Sequence, residues 1–157
     1  MVLEVIFQIW RRLNAHLQWC LLWLFNNKFM VSVSGIVLND SGDILLQRHR
    51  HWVQDVWGLP GGIVERGETL EKAFAREVFE ETGLVISEIE MIKMVSGYRL
   101  RMEVYFRARL AKNEMPQMIK IQEREILEAR FFSLIELPAD ILPLQSELIV
   151  SHLTKEK

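Results

Sequence analysis

The chain has 157 residues, half of them apolar and a quarter charged, with a formal net charge of -2. That is the length and balance of one globular domain with a real core, and it excludes a disordered chain or one that gathers nucleic acid through a global basic field. A single cysteine, Cys20, excludes an intrachain disulfide and fits a reducing, cytoplasmic compartment.

From Met1 to Lys28, Leu3, Phe7, Trp10, Leu13, Leu17, Leu21 and Leu24 recur at a helical period with no Gly or Pro among them. This predicts one added N-terminal helix over residues 1–28, ahead of a domain over residues 29–157. Its polar stripe is narrow, Glu4, Gln8, Arg11 and Gln18, and Trp19 to Phe25 is apolar all round. A helix of that kind is normally buried, so it is expected to pack on its own domain or on a twin subunit as a homodimer. Peripheral attachment at a membrane interface is the second reading. The apolar run is far too short to span a bilayer, and the charge order and lack of a small-residue cleavage site do not fit a signal peptide. Cys20, set within this run, reads as an inert thiol.

From Phe29 the period changes to that of a strand ending at Leu38; Asn39–Asp43 is a turn and Ile44–Arg48 a returning strand, together a hairpin. Arg48-His49-Arg50-His51-Trp52 follows. Arg48 and Arg50 are candidates for substrate phosphates, and Trp52 or Trp57 for stacking on a base. The plainer reading is a solvated loop whose tryptophans cover core, and His49 and His51 are not read as metal ligands. Asp55–Gly62 turns tightly, Pro60 fixing one dihedral while Gly61 and Gly62 let a ligand approach the backbone.

Gly62 to Leu84 reads as a loop feeding a helix from about Thr69 to Thr82. Thr69 is the candidate N-cap and Gly83 the left-handed stop. Leu70, Ala73, Phe74 and Val78 would pack on a sheet. Glu77, Glu80 and Glu81 stand at i, i+3 and i+4, so three carboxylates are expected on one exposed face, where like charges repel unless a cation joins them. Hard divalent ions prefer such oxygens. Arg76, four residues before Glu80, can hold a carboxylate in its planar fork.

Beyond this, Val85–Val95 and Leu100–Leu110 read as strands joined around Gly97, Lys112–Gln117 as a polar loop, Ile126–Phe132 as a strand and Leu144–Leu153 as a final helix. Glu123 and Glu125 lie on the approach to the late strand. No glycine-rich loop with its Lys-Ser/Thr pair is present, so this is not that kind of phosphate site.

Gly62, Glu68, Arg76-Glu77-Val78, Glu80-Glu81 and Gly83-Leu84 fill every specified position of the pattern Gx5Ex7REUxEExGU, with U aliphatic. The stretch resembles the Nudix box, and Trp57 to Gly62 before it looks like the family too. The resemblance implies an α/β (α+β) Nudix fold, a mixed sheet sandwiched between helices, and says nothing about the added N-terminal helix. It implies a MutT-like hydrolase that cuts a nucleoside diphosphate linked to some group X. It implies that Glu77, Glu80 and Glu81, with the Gly61 carbonyl, hold Mg²⁺ or Mn²⁺. Arg76 would orient a glutamate, and Glu68 would support the site. Many members add one late glutamate, for which Glu125 is the candidate. Glu77 is the first choice for the base that activates water, with Glu81 or a late-loop residue second. The extra signatures of the coenzyme A and NADH subfamilies are absent, and Tyr98-Arg99-Leu100 stands where ADP-ribose members tend to have a proline. The expected substrate is therefore a nucleotide small molecule, a nucleoside triphosphate or nucleotide sugar, with no specific nucleic acid. The alternative is a non-catalytic Nudix-fold nucleotide-binding or regulatory module.

Overall fold

The computed structural model describes residues 2–52, 56–96, 99–116 and 119–153; Asp55, Gly97, Tyr98 and Gln117, named above, lie outside the described residues. A seven-stranded mixed sheet forms the centre, in the order β3-β2-β1-β6-β5, with β4 also on β1 and β7 also on β2. These are β1 (Met30–Leu38), β2 (Ile44–His49), β3 (Trp57–Gly58), β4 (Gly61–Ile63), β5 (Ile86–Ser96), β6 (Arg101–Leu110) and β7 (Ile126–Phe132). The helices are α1 (Val2–Arg12), α2 (Ala15–Phe25), α3 (Leu70–Thr82) and α4 (Pro143–Leu153).

Side chains of β1 alternate between two cores, as the period-two pleat requires. Val33 and Val37 join Phe74 and Val78 of α3 and Val104 and Phe106 of β6 on one face. Ile36 and Leu38 join Trp57, Tyr105, Phe132 and the α4 residues Leu148 and Ile149 on the other. The sheet therefore lies between α3 and α4, each covering one apolar face. Phe74 and Phe106 stack with ring centroids 5.4 Å apart, and Trp57 meets Phe132 edge-on at 4.8 Å. Each fully buried ring of this kind contributes about 2–3 kcal/mol of apolar transfer.

The expected hairpin holds only at its tip. β1 and β2 pair antiparallel where Leu38 faces Ile44. Beyond that they diverge: β1 takes β6 in parallel from Met30↔Arg101 to Leu38↔Arg109, and β2 takes β7. β4 lies antiparallel on the start of β1, with Ser34 opposite Gly61 and Val33 opposite Gly62. The tight turn expected over Asp55–Gly62 thus contains two short strands, and the pairing holds the Gly61-Gly62 backbone against the sheet.

The N-terminal segment departs from expectation. It is two helices, not one, because the Asn14 side chain accepts a hydrogen bond from Leu17 N (2.9 Å) and starts a new helix in mid-period. α2 has no buried residue, and Trp19 is 65% exposed, so the helices do not pack into the domain as expected. Cys20 is exposed as well, and its apolar neighbours in sequence do not shield it. Among the described residues, no helix is long and apolar enough to cross a membrane.

Candidate active site

Helix α3 is set by its ends and its buried face. Thr69 Oγ1 accepts from Lys72 N (3.3 Å), and Gly83 takes a φ of 72°, ending the helix as a residue without Cβ can. Docking through Ala73, Phe74 and Val78 fixes its rotation. Glu81 lies three and seven residues past Val78 and Phe74, on the same side, so it is carried inward. The expectation that Glu77, Glu80 and Glu81 share one exposed face is corrected accordingly. Glu81 is 2% exposed, Glu77 is half-buried, and only Glu80 is open to solvent.

Arg76 is the hub. Its Nε donates to Glu68 Oε2 (3.1 Å), Nη2 to Glu68 Oε1 (2.8 Å) and Ile63 O (3.1 Å), and Nη1 to Glu77 Oε1 (3.0 Å) and Glu80 Oε2 (3.2 Å). All the N–H donors of the guanidinium are used. Glu68 also accepts from Glu65 N at 2.6 Å, and its pKa falls below the ordinary range, chiefly through the Arg76 hydrogen bonds. Arg76 is in turn held more firmly charged by Glu68 and then Glu77.

Glu77 lies against Gly62: a Cβ on that glycine would collide with the Glu77 carboxylate. Burial raises the Glu77 pKa; the Arg76 contacts oppose that, and Glu80 and Glu125 add to it. Glu81 Oε2 accepts from Gly61 N at 3.1 Å. Burial pushes Glu81 up to about 8, against the hydrogen bonds from Gln47 and Gly61 and with the help of Glu77 and Glu125. Glu81 Oε1 also lies 3.4 Å from His49 Nε2. His49 is driven down to about 4, first by burial and then by His51. The 3.4 Å separation is long for a charge-assisted bond, and burial disfavours both charges, so the metal-free pair is neutral at pH 7. Gln47 bridges to His49 (2.9 Å) and leaves its own Oε1 buried and unpartnered.

Among the described residues, no three His, Cys, Asp or Glu side chains stand ready as an ion cage, since Glu77 and Glu80 lean on Arg76. The donor chemistry nonetheless suits a hard divalent cation. Glu125 opposes the ionisation of both Glu77 and Glu81, and Glu77 opposes that of Glu81, which a cation among them would relieve. The loop carrying Glu125 is tied down by Gln122 N to Glu81 O (3.1 Å) and Arg50 N to Glu125 O (2.8 Å).

On the α4 side of the sheet a cleft runs outward from the glycines. Its inner part, about 210 Å³, is lined by Ser34, His49, Gly61 and Gly62. Its outer part, about 550 Å³, is lined by His51, Val56 and Leu142 to Leu144. Trp52, Arg101, Glu103, Tyr105 and Gln145 border both. Glu103 accepts from Arg101 Nε (2.8 Å) and Tyr105 Oη (2.7 Å), and Gln145 Oε1 accepts from Leu59 N (2.7 Å).

Of the sequence candidates, Glu68, Arg76, Glu77, Glu80, Glu81 and Gly61 come together, and Trp52 lines the cleft while stacking on His49 at 4.3 Å. Arg48 and Arg50 are engaged elsewhere. Arg48 lies 3.6 Å from Glu128, and Arg50 Nε and Nη2 donate to Glu123 O at 3.3 and 3.2 Å. Gln47, Arg101, Glu103, Tyr105 and Gln145 were not singled out. The polar alternation of β6 hints at Arg101, Glu103 and Tyr105, but only the topology brings these residues to the glycines.

The family model described as NUDIX domain matches residues 28–151. Among curated proteins, an ADP-ribose pyrophosphatase of Methanocaldococcus jannaschii is 46% identical over 55 residues, 35% of this chain and 32% of that protein. The NAD-capped RNA hydrolase NudC of Pseudomonas aeruginosa is 37% identical over 125 residues, 78% of this chain and 42% of that protein. The chain thus spans less than half the length of each of these relatives. Among solved structures, a MutT/nudix family protein from Enterococcus faecalis superposes with a TM-score of 0.69 at 19% identity, covering 93% of this chain and 71% of that one. At that identity the likeness speaks to the fold.

Proposed function

This chain belongs to the Nudix family, and on that premise we propose that it is a divalent-metal-dependent pyrophosphohydrolase acting on a nucleoside diphosphate linked to X. The observation that carries the proposal is the shared use of Arg76 by Glu68, Glu77 and Glu80, beside a buried Glu81 held by the Gly61 N–H. Such a frame costs stability through crowded carboxylates, and a hydrolytic metal site gives it a reason.

Glu77, Glu80 and Glu81, with Glu125 and the Gly61 carbonyl, would hold Mg²⁺ or Mn²⁺. When bound, the ion would acidify a water and neutralise charge on the phosphates. The chain's own part is positional. Arg76 keeps Glu77 and Glu80 side by side, Glu68 keeps Arg76 in place, and Gly61 and Gly62 let a diphosphate approach the backbone. Glu77 is the first choice for the base that takes a proton from water, and Glu81 the second. The diphosphate would occupy the inner cleft, and the nucleoside the outer cleft beside Trp52, Glu103 and Tyr105.

The leading substrates are a nucleoside triphosphate or a nucleotide sugar. Adenosine diphosphates carrying ribose or a second nucleoside join the panel because of the relatives' names. We take residues 29–157 as the hydrolase domain, residues 1–28 as an addition to it, and the cytoplasm as its compartment. The test is product mapping over that panel, with and without Mg²⁺, for the protein and its Glu80→Gln variant. Metal-dependent release of a nucleoside monophosphate that disappears in the variant is expected. Nucleotide binding without turnover on any substrate would replace this reading with a regulatory binding module.

A further inference from the structure

Exposed apolar side chains occur along the chain, and their densest run is on α1 and α2. On α1 and α2, Leu3, Phe7, Trp19, Trp23 and Phe25 are between 56% and 79% exposed. The same segment has a charge opposite to the chain as a whole. Residues 1–28 contain one acidic side chain, Glu4, against Arg11, Arg12 and Lys28, within a protein of net charge -2. The two arginines close α1 and are exposed, so the basic groups flank the apolar surface without interrupting it.

We propose that α1 and α2 lie flat on an anionic lipid surface. Each helix has 11 residues, about 16 Å of rise, against a hydrocarbon core of about 30 Å, so each suits the interface and neither can cross it. Glu4, Gln8, Arg11 and Arg12 fall along one side of α1, and the rest of that helix is apolar. α2 is apolar around most of its circumference. A helix from a second copy would cover one stripe of it and leave the opposite stripe wet, whereas immersion at the acyl boundary covers more. The corner between the helices is held by Asn14 and by Gln18 Nε2, which donates to Trp10 O at 2.8 Å. Lys28 Nζ stands 4.6 Å over the Trp23 ring while donating to Leu24 O, as a snorkelling lysine beside an interfacial tryptophan does. Trp19, Cys20 and Trp23 form a groove of about 500 Å³ with Arg66, two residues before Glu68. Docking would therefore bring the loop that feeds α3 to the headgroup layer.

The test uses the full chain with vesicles of phosphatidylcholine alone and of phosphatidylcholine mixed with phosphatidylglycerol. Sedimentation with the mixed vesicles, a blue shift of tryptophan emission and far weaker binding to neutral vesicles are expected. Replacing both arginines, Arg11→Gln and Arg12→Gln, should weaken binding to the mixed vesicles by about 30-fold, at roughly 1 kcal/mol per basic residue near the surface. Both side chains are exposed, and an unchanged circular dichroism spectrum would show that the variant is folded. Trp23→Glu should abolish binding. Absence of binding to mixed vesicles, or equal binding to neutral ones, would overturn the proposal. So would a concentration-dependent dimer that shields Trp19 and Trp23 and is dispersed by Trp23→Glu, since the face would then belong to a second copy.

Discussion

Arg76 and Glu68, eight residues apart, meet at two points, Nε to Oε2 at 3.1 Å and Nη2 to Oε1 at 2.8 Å. The contact joins the loop before α3 to the middle of that helix, and it leaves Nη1 free to hold Glu77 and Glu80 together. A lysine carries the charge but cannot make both contacts and also reach the two remaining carboxylates. Arg76→Lys should therefore remain folded while kcat falls by about 100-fold, the scale of a catalytic group displaced by an ångström. Turnover at the parental rate would show that the fork does not align the site.

Gly62 is the second constraint. Its missing side chain is the space that the Glu77 carboxylate occupies. In Gly62→Ala the carboxylate must move, and as the end of a flexible chain it can, so the loss of stability should stay near 1 kcal/mol. Activity should fall by about 100-fold, because the displaced group is the one assigned to the water. Thermal unfolding and kcat, measured together, separate these two effects.

The neutral Glu81–His49 pair makes a statement about pH. Glu81 rises from 4.5 to about 8 on folding, so between those values the native state binds the extra proton and stability falls as pH rises. His49 falls from 6.5 to about 4, so over that interval the unfolded state binds the extra proton and stability rises with pH. The two slopes oppose each other from about pH 4.5 to 6.5, and Glu81 acts alone from about 6.5 to 8. Denaturant titration of the metal-free protein should show stability falling there by up to about 1.4 kcal/mol per pH unit. Glu81→Gln should flatten that decline, and an unchanged slope in the variant would place its origin elsewhere.

Gln145 on α4 accepts the buried N–H of Leu59, just before the glycines. Gln145→Leu keeps the bulk and leaves that donor unpaired, at about 1–3 kcal/mol. The midpoint of thermal unfolding should drop by several degrees for a chain of this size. KM should rise along with it, because the same side chain borders both parts of the cleft.

Helix α3 was legible in the sequence down to both caps, because Thr69, the apolar spacing and Gly83 are local signals. The carboxylates were legible as a group. Glu81 stands three and seven residues past Val78 and Phe74, so its burial follows from the packed face, a signal that grouping it with Glu77 and Glu80 passed over. The break at Asn14 was hidden because the apolar period continues through it, and only the cap shows where one helix stops. Strands β3 and β4 were hidden in a stretch rich in glycine and proline, and they exist because β1 and β2 offer them partners. His49 at Glu81, and Glu103 and Tyr105 in the cleft, depend on the order of strands. The same holds for Arg48 and Arg50, which look like phosphate ligands in a list of residues and lie against Glu128 and Glu123 O in space.

The parallel pairing of β1 with β6 bears on how the molecule assembles. Met30 pairs with Arg101, so roughly 70 residues must be looped before the central ladder can start, an entropy cost of about 4 kcal/mol. That loop contains β2 to β5 and α3, hence both glycines and every glutamate of the box. The cleft wall at Ser34 and Tyr105, which are register partners, cannot exist until the loop closes. A fragment ending before Arg101 should therefore lack both the ladder and the cleft. Folding is expected to be a slow, all-or-none event in which core and site appear together.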